Sequence, residues 1–505
     1  MESAGSGTLA PTGETTGMLP FLGFAVLGGL LSGVVPLLLI LQVPDVGRSD
    51  AWILTVLLTV WAGLRLTMTI VVGRPMLFDF FFWMFTYVFM GIAPTVQIRS
   101  GLISRTTQGI DEGLDLPTAV LVCVGVVCYE IGRYLARIRG NRRAADATSR
   151  GLSARAPEEL TVVDPLRTAL LLTAGVALST YFIAKIGLGS LFGSRDQAFA
   201  ARSAQWSDPA IRSIMYSLAI YPLLVGIGAL AQVRRSAVKG RGWFAIPLIG
   251  ATLLLLTVVN PVSSARYSLG TVIFALALYA GAALNPTRVR TTLVTALAGL
   301  IFLFPLADAF RRPEVNLARD GFFGEYKGNP DYDAFWQIAN AFSYWLDGLV
   351  EPGRQALGSL LFWVPRSIWP DKPVDTGILL AQYRGYSFEN LSAPLWAELL
   401  VNGGVIALII GFLATGYFLR VMDDRLLPAF AAAGYWAIVG AIFPVYMTIL
   451  LRGSLLQATG AVAVALLCLL VVRKHNRLPA ADGLASSDRR LSEPPQSPAF
   501  RTGRG

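Results

Sequence analysis

The chain has 505 residues, which is the length of about three or four soluble domains of ~150 residues each. Hydrophobic residues make up 54% of it and charged residues only 15%, so there are too few polar side chains to cover several separate soluble cores. The net charge of +10 would suit a nucleic-acid partner if one folded domain carried it. The basic residues lie between the apolar stretches instead, which argues against nucleic acid and indicates that lipid is the main solvent.

Twelve apolar stretches have about the ~20 residues that a helix needs to cross the core of a bilayer. This pattern predicts an all-α, polytopic integral membrane protein with about twelve transmembrane helices. Nine helices fall within residues 18–310 and three within residues 395–472. In chain order, the predicted spans are 18–41, 51–72, 76–97, 116–136, 164–184, 211–232, 243–260, 268–285, 291–310, 395–419, 426–450 and 453–472.

The distribution of lysine and arginine predicts the orientation of these spans, because short loops rich in these residues stay in the cytoplasm. Such residues are concentrated between positions 133 and 155 and between positions 234 and 241. With alternating spans, both termini are cytoplasmic and residues 311–394 form one large extracytoplasmic loop. The tails 1–17 and 473–505 and the loop 137–160 are poor in apolar residues that could build a core, so we expect them to be disordered.

The large loop contains two segments that are typical of helices at a membrane surface. One is an apolar stripe at helical spacing with polar residues beside it, which predicts an interfacial helix. The other, Ala356 to Val364, is too short to span and ends at Pro365, which favours a re-entrant or interfacial segment. The stripe consists of Phe335, Ile338, Phe342, Trp345 and Leu349, and the polar residues are Asp333, Gln337, Asn340 and Asp347.

Five of the eleven tryptophans lie in or next to this loop: Trp336, Trp345, Trp363, Trp369 and Trp396. One interpretation is an aromatic belt at the level of the lipid headgroups. The other is stacking against sugar rings, for which we select Trp336, Trp363 and Trp369 as candidates. Both interpretations stay open, because a site for a lipid-linked sugar would lie at that same depth.

Basic residues on the predicted outer side need a local reason, because the insertion bias works against them there. They are Arg266, Arg311, Arg312, Arg366 and Lys372. Arginine offers a planar fork of donors for phosphate oxygens, so a bound diphosphate is one reason. An ion pair with a loop carboxylate such as Glu314, Asp320 or Asp331 is the alternative.

Carboxylates near the loop are candidates for a general base: Asp308, Asp331, Asp333, Glu389 and Glu398. We favour Glu398, because it lies at the mouth of the predicted tenth span, where the dielectric is low. Asn402 follows four residues later on the same helix face and could hydrogen-bond to it. A structural role for Glu398, in which it neutralises a neighbouring arginine, is the alternative.

Three charged residues fall within or at the ends of predicted spans, and they need partners or a cavity: Arg65, Asp79 and Glu130. We interpret them as structural or lipid-facing anchors. The chain has three cysteines and one histidine, His475, which lies in the basic run RKHNR near the C-terminus. We therefore expect neither a multi-histidine metal site nor a Ser-His-Asp triad. We therefore predict no metal and no cofactor.

Five segments of the second half resemble the bacterial O-antigen polymerase (Wzy-type), or oligosaccharide repeat-unit polymerase, family. They are NPVSSARYSLG, FRRPEVNL, GNPDYDAFWQIANAF, LLFWVPRSIWPDKPVDTG and LSAPLWAELLVNGGVIAL. The resemblance implies a GT-C-like glycosyltransferase in the bacterial cytoplasmic membrane, acting on its outer side without a metal. Its implied partners are undecaprenyl-diphosphate-linked oligosaccharides, a chain-length regulator and a flippase.

The resemblance also implies roles for individual residues. Arg266, Arg311, Arg312 and Arg366 would hold the diphosphate with the help of Lys372, and the aromatic loop would hold the sugar chain. Glu398, or else Asp331 or Asp333, would take the proton from the attacking hydroxyl, and Asn402 would assist.

Three other classes remain as alternatives. Ligases that transfer O-antigen are similar but typically use a histidine in the outer loop, and here the one histidine lies at position 475. A secondary transporter or flippase suits twelve spans equally well, although the long outer segment and the lack of a visible repeat favour the polymerase. A scaffold without catalytic activity would leave the outer arginines unexplained.

Overall fold

The computed structural model describes residues 15–104, 106–149, 162–237, 242–303, 323–431 and 434–474. This part of the chain is all-α apart from one pair of very short strands, and nine of its helices are long and apolar enough to cross a membrane. The coarse prediction of a polytopic, helical membrane protein is therefore confirmed.

The first half of the chain contains six of these nine spans. The first and the third span each contain a π-helical stretch between two α-helical parts, at Leu30–Val34 and at Thr86–Ile92. The helices, in order, are α1 Thr15–Gly29 and α2 Val35–Gln42, α3 Ala51–Val72, α4 Leu77–Phe85 and α5 Ala93–Ser100, α6 Asp115–Ser149, α7 Pro165–Ile186, the short α8 Leu188–Leu191 and α9 Arg195–Gln205, and α10 Pro209–Ser236.

The second half contains shorter helices before its last three spans. The predicted spans 243–260 and 268–285 correspond to helices of 14 residues each, and the predicted span 291–310 is described only as far as Leu303. The helices are α11 Ala245–Val258, α12 Arg266–Tyr279, α13 Pro286–Ala298, α14 Glu325–Gly328, α15 Ala334–Leu346, α16 Arg354–Leu360, α17 Thr376–Arg384, α18 Leu395–Ala431, α19 Tyr435–Arg452 and α20 Leu455–Val472.

The expectation of disorder in residues 137–160 is wrong for its first part, because α6 continues to Ser149. In this extension Arg139 donates to the Tyr417 hydroxyl of α18 (2.9 Å), so α6 still contacts α18 after its apolar stretch has ended. Beyond the extension, strand β1 (Val162–Val163) pairs antiparallel with strand β2 (Arg473–Lys474), at the start of the predicted C-terminal tail. The rest of that tail, residues 1–14 and residues 150–161 lie outside the described residues.

The chain contacts define two ends of the helix bundle. At one end, which we call the loop end, residues 323–394 pack against the first residues of α6 and the last residues of α5. At the other end, which we call the basic end, arginines bind backbone carbonyls of neighbouring helices. Examples are Arg290 on Val71 (3.0 Å) and Arg167 on Arg473 (3.0 Å).

Near the basic end, the three predicted intramembrane charges have partners within one network. Asp79 accepts from Arg133 (2.8 Å) and from the side chains of Trp83 and Tyr129 (3.0 Å each). Arg65 pairs with Glu130 (2.7 Å). These contacts join α3, α4 and α6, so the interpretation of these residues as structural anchors fits the geometry.

Helices α6 and α18 approach so closely that their backbones touch. A methyl group on Gly132 would lie 2.1 Å from the Leu413 carbonyl oxygen, and one on Gly416 would lie 2.0 Å from the Tyr129 carbonyl oxygen. Glycine is required at both positions because the neighbouring atoms belong to the backbone and cannot rotate away. Small residues at helix contacts are a common way of packing helices in membranes.

Helix α18 is broken and folds back on itself. Its backbone leaves the helical conformation at Gly403 and Gly404, where Gly404 has a φ of 64°, a value that favours glycine. The rings of Trp396 and Phe412 are 4.4 Å apart, whereas 16 residues of straight helix would separate them by about 24 Å. The predicted single span 395–419 is therefore wrong: residues 395–402 form a short helix that packs antiparallel to residues 405–431.

The predicted interfacial helix is also wrong in its placement. The first eight residues of α15 are buried on all sides, including the polar Gln337 and Asn340. Gln97 at the end of the third span holds this region, because its amide donates to the carbonyls of Tyr326 (2.9 Å) and Tyr332 (3.2 Å). Only the last residues of α15 reach the surface.

The contact between α6 and α18 makes a test of the fold. We expect Gly416→Ala to lower the melting temperature of the detergent-purified protein, because relieving the clash with Tyr129 requires a backbone shift that costs about 1–3 kcal/mol. Gly250→Ala in α11 is the matched control, since no atom lies within 4 Å of its added methyl group. Equal melting temperatures for the two variants would contradict the close packing.

Candidate functional site

The loop end is recessed, so that part of the large loop lies inside the bundle. The guanidinium of Arg452, the last residue of α19, lies 5.9 Å from the centroid of the Phe89 ring. Phe89 precedes Ser100, the end of α5, by eleven residues, or about 15 Å of helix. The turn between α19 and α20 therefore lies well inside the bundle relative to Ser100, where the third span ends, and residues 323–340 lie between that turn and the loop end.

Asp331 bridges two arginines in this recess. Its Oδ2 accepts from Arg266 (3.2 Å), its Oδ1 accepts from Arg452 (3.2 Å), and its backbone oxygen also accepts from Arg452 (3.1 Å). Both carboxylate oxygens of Asp331 are thus occupied by guanidinium donors, which suits an ion pair better than a general base. The predicted catalytic role of Asp331 and the predicted phosphate contact of Arg266 are therefore replaced by a bridge between α12, the loop and α19.

Asp333 follows two residues later and is buried. Its Oδ2 accepts from the backbone N–H of Ser392 (3.1 Å), while its Oδ1 has no hydrogen-bond partner. Burial raises the pKa of Asp333, and the nearby positive charge of Arg452 acts in the opposite direction. Of the predicted carboxylates, Asp333 is one that keeps a free acceptor atom.

Glu398 lies in the folded-back half of α18 and is also buried. Its Oε1 accepts from the backbone N–H of Leu455 (2.9 Å), and Thr376 and Ser454 lie beside the carboxylate. Asn402 does bind Glu398 as predicted, but through the backbone carbonyl (2.7 Å) and not through the carboxylate. The amide oxygen of Asn402 accepts from Ala356 (2.8 Å), so this side chain anchors the start of α16 and is not available to a substrate.

Sequence reasoning missed Asp375, which lies beside Glu398 and caps the start of α17 by accepting from Gly377 (2.8 Å). Burial raises the pKa of Asp375. It also missed Arg452, which was placed only as the end of a span. The one signal in the sequence for Asp375 is the N-cap pattern Asp-Thr-Gly, and that pattern predicts a helix start and not a site.

Arg366 and Lys372 hold the turn after α16 by binding backbone carbonyls. Arg366 donates to Lys372 (2.7 Å) and Pro373 (3.2 Å), and the Lys372 ammonium donates to Phe362 (2.6 Å) and Val364 (3.0 Å). Burial, together with the positive charge of Arg366, lowers the pKa of Lys372. All four hydrogen-bond acceptors are neutral carbonyls, and the charge of the Asp208 carboxylate also acts on Lys372.

A cavity of about 300 Å³ opens beside this turn, and we call it the cation cavity. Arg354 joins Arg366 and Lys372 in its wall, paired with Glu351 and bonded to the Asp371 carbonyl (3.0 Å). Gln355 is buried in the same wall, and its side-chain oxygen has no hydrogen-bond partner. The lining residues are Tyr344, Glu351, Arg354, Gln355, Arg366, Pro370, Asp371, Lys372, Pro373, Val374, Leu379 and Val401.

The predicted cluster of outer cations is thus only partly assembled. Arg366 and Lys372 share the cation cavity, whereas Arg266 lies against Asp331 and is not part of its lining. Arg311 and Arg312 lie outside the described residues, as does Asp308.

The tryptophans divide into a buried and an exposed group. Trp336 is fully buried, donates to Gln97 (2.6 Å) and lies under the guanidinium of Arg48 (5.4 Å), so its N–H and one face of its ring are occupied, and its contact with substrate stays a prediction. Trp363 is 65% exposed and Trp369 is half-buried. These two remain available beside the cation cavity.

The bridge at Asp331 makes a test of the site. We expect Asp331→Ala to destabilise the protein by about 1–3 kcal/mol, because two partly buried arginines lose their counter-charge. Melting in detergent measures this loss, and Arg266→Met in the Asp331→Ala background should recover part of it. Asp371→Ala, at an exposed position, is the control, and a wild-type melting temperature for Asp331→Ala would contradict the bridge.

No protein-family model, no curated protein and no solved structure matches this chain. What the protein does therefore has to be inferred from its own residues.

Proposed function

We propose that the protein is a membrane glycosyltransferase that polymerises undecaprenyl-diphosphate-linked oligosaccharide repeat units into a surface polysaccharide. It acts at the outer face of a bacterial cytoplasmic membrane. In this proposal α11, α12 and α13 complete twelve spans of a GT-C-like bundle, the loop end faces outward and both termini are cytoplasmic. The concentration of arginine and lysine at the basic end supports this orientation.

The cation cavity is the observation that carries the proposal. Arg354, Arg366 and Lys372 face Glu351 and Asp371 in its wall, which leaves an excess of positive charge. The fork of donors on arginine fits phosphate oxygens, and carbonyl partners do not neutralise it. The same turn exposes the apolar side chains of Trp363 and Ile368, a combination that suits an anion attached to a lipid.

The chemistry requires a leaving group and a base. The acceptor hydroxyl oxygen bonds to the anomeric carbon of the donor, while the bond from that carbon to the diphosphate breaks and the electron pair leaves with the diphosphate. The cations stabilise the charge that develops on the leaving group. Glu398 takes the proton in this proposal, because it lies one turn before Val401, which lines the cation cavity.

A flippase or secondary transporter for an anionic, lipid-linked solute is the second candidate. The break in α18 at Gly403 and Gly404 favours it, because discontinuous helices commonly form the binding sites of transporters. Deletion of the gene separates the two candidates. Loss of a polymerase leaves single repeat units on the outer side, whereas loss of a flippase traps them inside.

We expect Arg366→Ala to reduce chain extension by roughly 10–100-fold, because a charged hydrogen-bond donor to the leaving group is removed. Purified protein incubated with a synthetic diphosphate-linked repeat unit measures this rate. Arg167→Ala is the matched control, since Arg167 also donates to a backbone carbonyl but lies at the basic end. Wild-type extension by Arg366→Ala, at normal protein levels, would remove Arg366 from the mechanism.

We expect Glu398→Gln to lose more activity than Glu389→Gln in the same assay. The substitution keeps the size of the side chain and removes its ability to accept a proton, which typically costs about 10²–10⁴-fold. Glu389 is exposed and bonds to Gln382 (3.3 Å), so it reports the effect of losing a carboxylate elsewhere in the loop. Equal activities would withdraw Glu398 as the base.

A further inference from the structure

A row of three polar side chains runs along one face of α15, and the proposed mechanism does not use it. Asp333, Gln337 and Asn340 are spaced at four and three residues, so they lie above one another on the helix. All three are buried, at 2%, 0% and 0% exposure. We call them the α15 polar row.

The chain segment from Arg384 to Ser392, which we call the strap, is tied to both ends of this row. At one end, Arg384 donates to the Asn340 amide oxygen (2.8 Å), and Tyr386 lies beside the same side chain. At the other end, the Ser392 N–H donates to Asp333 (3.1 Å). The strap therefore runs along the row, with Gln337 beneath its middle.

The strap is longer than the distance it covers. Asn340 and Asp333 are separated by about 10 Å of helix, whereas the eight residue steps from Arg384 to Ser392 can span about 26 Å. The middle of the strap, residues 387–390, is exposed to solvent. Between its two ends the strap is also attached through Glu389, which accepts from Gln382 (3.3 Å), and through the Tyr386 hydroxyl, which donates to the Gln108 carbonyl (3.0 Å).

Polar atoms of the row and the strap lack well-formed hydrogen bonds to other described residues. They are the Gln337 amide nitrogen, the Asp333 Oδ1 and one terminal nitrogen of Arg384. The Ser392 hydroxyl lies beside the Asp333 carboxylate and is close enough to act on it. A buried polar group without a partner destabilises the folded protein. These atoms offer both donors and an acceptor, which matches a ligand that can donate and accept at neighbouring atoms.

We propose that the α15 polar row and the strap bind one neutral sugar residue through its hydroxyl groups. A hydroxyl donates one hydrogen bond and accepts others, so adjacent hydroxyls satisfy Asp333 and Gln337 together. The charges of Asp333 and Arg384 balance, which favours a neutral ligand over an ionic one. The identification of this sugar as part of the acceptor chain rests on the proposed function. The binding of a sugar at this place does not require the protein to be an enzyme.

Titration of the purified full-length protein with a panel of neutral disaccharides tests the inference, with tryptophan fluorescence as the readout because α15 carries Trp336 and Trp345. At least one disaccharide should bind the wild-type protein. We expect Asp333→Asn and the near-isosteric Gln337→Met each to weaken that binding at least tenfold. Gln205→Met is the matched control, because Gln205 is exposed at the end of α9 and belongs to neither the row nor the strap.

The proposed function and the proposed sugar site can be tested independently of each other. Inorganic pyrophosphate is the probe for the cation cavity, and Lys372→Gln should weaken its binding while leaving disaccharide binding unchanged. Loss of chain extension alone, with disaccharide binding still dependent on Asp333 and Gln337, would overturn the proposed function and leave this inference standing. Wild-type affinity in a folded Asp333→Asn or Gln337→Met protein, or no binding of any disaccharide in the panel, would overturn the sugar site.

Discussion

The fold-back of α18 at Gly403 and Gly404 is the constraint on which the loop end depends. It places residues 395–402 inside the bundle, where the ring of Trp396 packs against Phe412 and its N–H donates to the Val122 carbonyl of α6. The return of the chain also brings Asn402 to the start of α16 and Glu398 to the start of α20. Without the glycine pair a continuous helix would separate these contacts, and the large loop would have no recess to fill.

Two kinds of chemistry lie side by side on this framework. In the cation cavity Arg354 pairs with Glu351, whereas Arg366 and Lys372 bind neutral carbonyls, so the three basic side chains outnumber the two lining carboxylates and favour an anion. The α15 polar row contributes a carboxylate and two amides, and the strap contributes the guanidinium of Arg384. The two charges balance, and such an environment favours hydroxyl groups. A lipid-linked glycan carries both groups, a diphosphate at one end and sugar hydroxyls along its length, so the pairing suits the proposed substrate.

Hydropathy predicted the positions of the nine helices in the described residues that are long and apolar enough to cross a membrane, because each span must bury its own length in lipid whatever its neighbours are. It failed for α15, where the apolar stripe was correct but the polar face is buried as well. The partner that buries Trp336 is Gln97, 239 residues away, and nothing in the local pattern indicates that distance. The break in α18 was missed for a similar reason, since two glycines in an apolar run are compatible with a straight span.

The sequence predicted which residue types the candidate site would contain, but only part of which residues lie together. Arg366 and Lys372 lie together as expected, and Asp333 and Glu398 are both buried beneath the loop. Arg266 was separated from them by its pairing with Asp331, and the second partner of that aspartate, Arg452, carried no signal of its own. Charge alone does not reveal which carboxylate an arginine meets, because that choice is made by the packing of helices that are distant in sequence.

The pairing of Val162–Val163 with Arg473–Lys474 gives the basic end a mechanical property. Main-chain hydrogen bonds fasten the segment that leads into α7 to the segment that leaves α20, so a force applied to the C-terminal tail is transmitted to α7 as well as to α20. Cleavage of the polypeptide between residues 150 and 161 would leave this fastening in place, and the two fragments would stay together as a single particle.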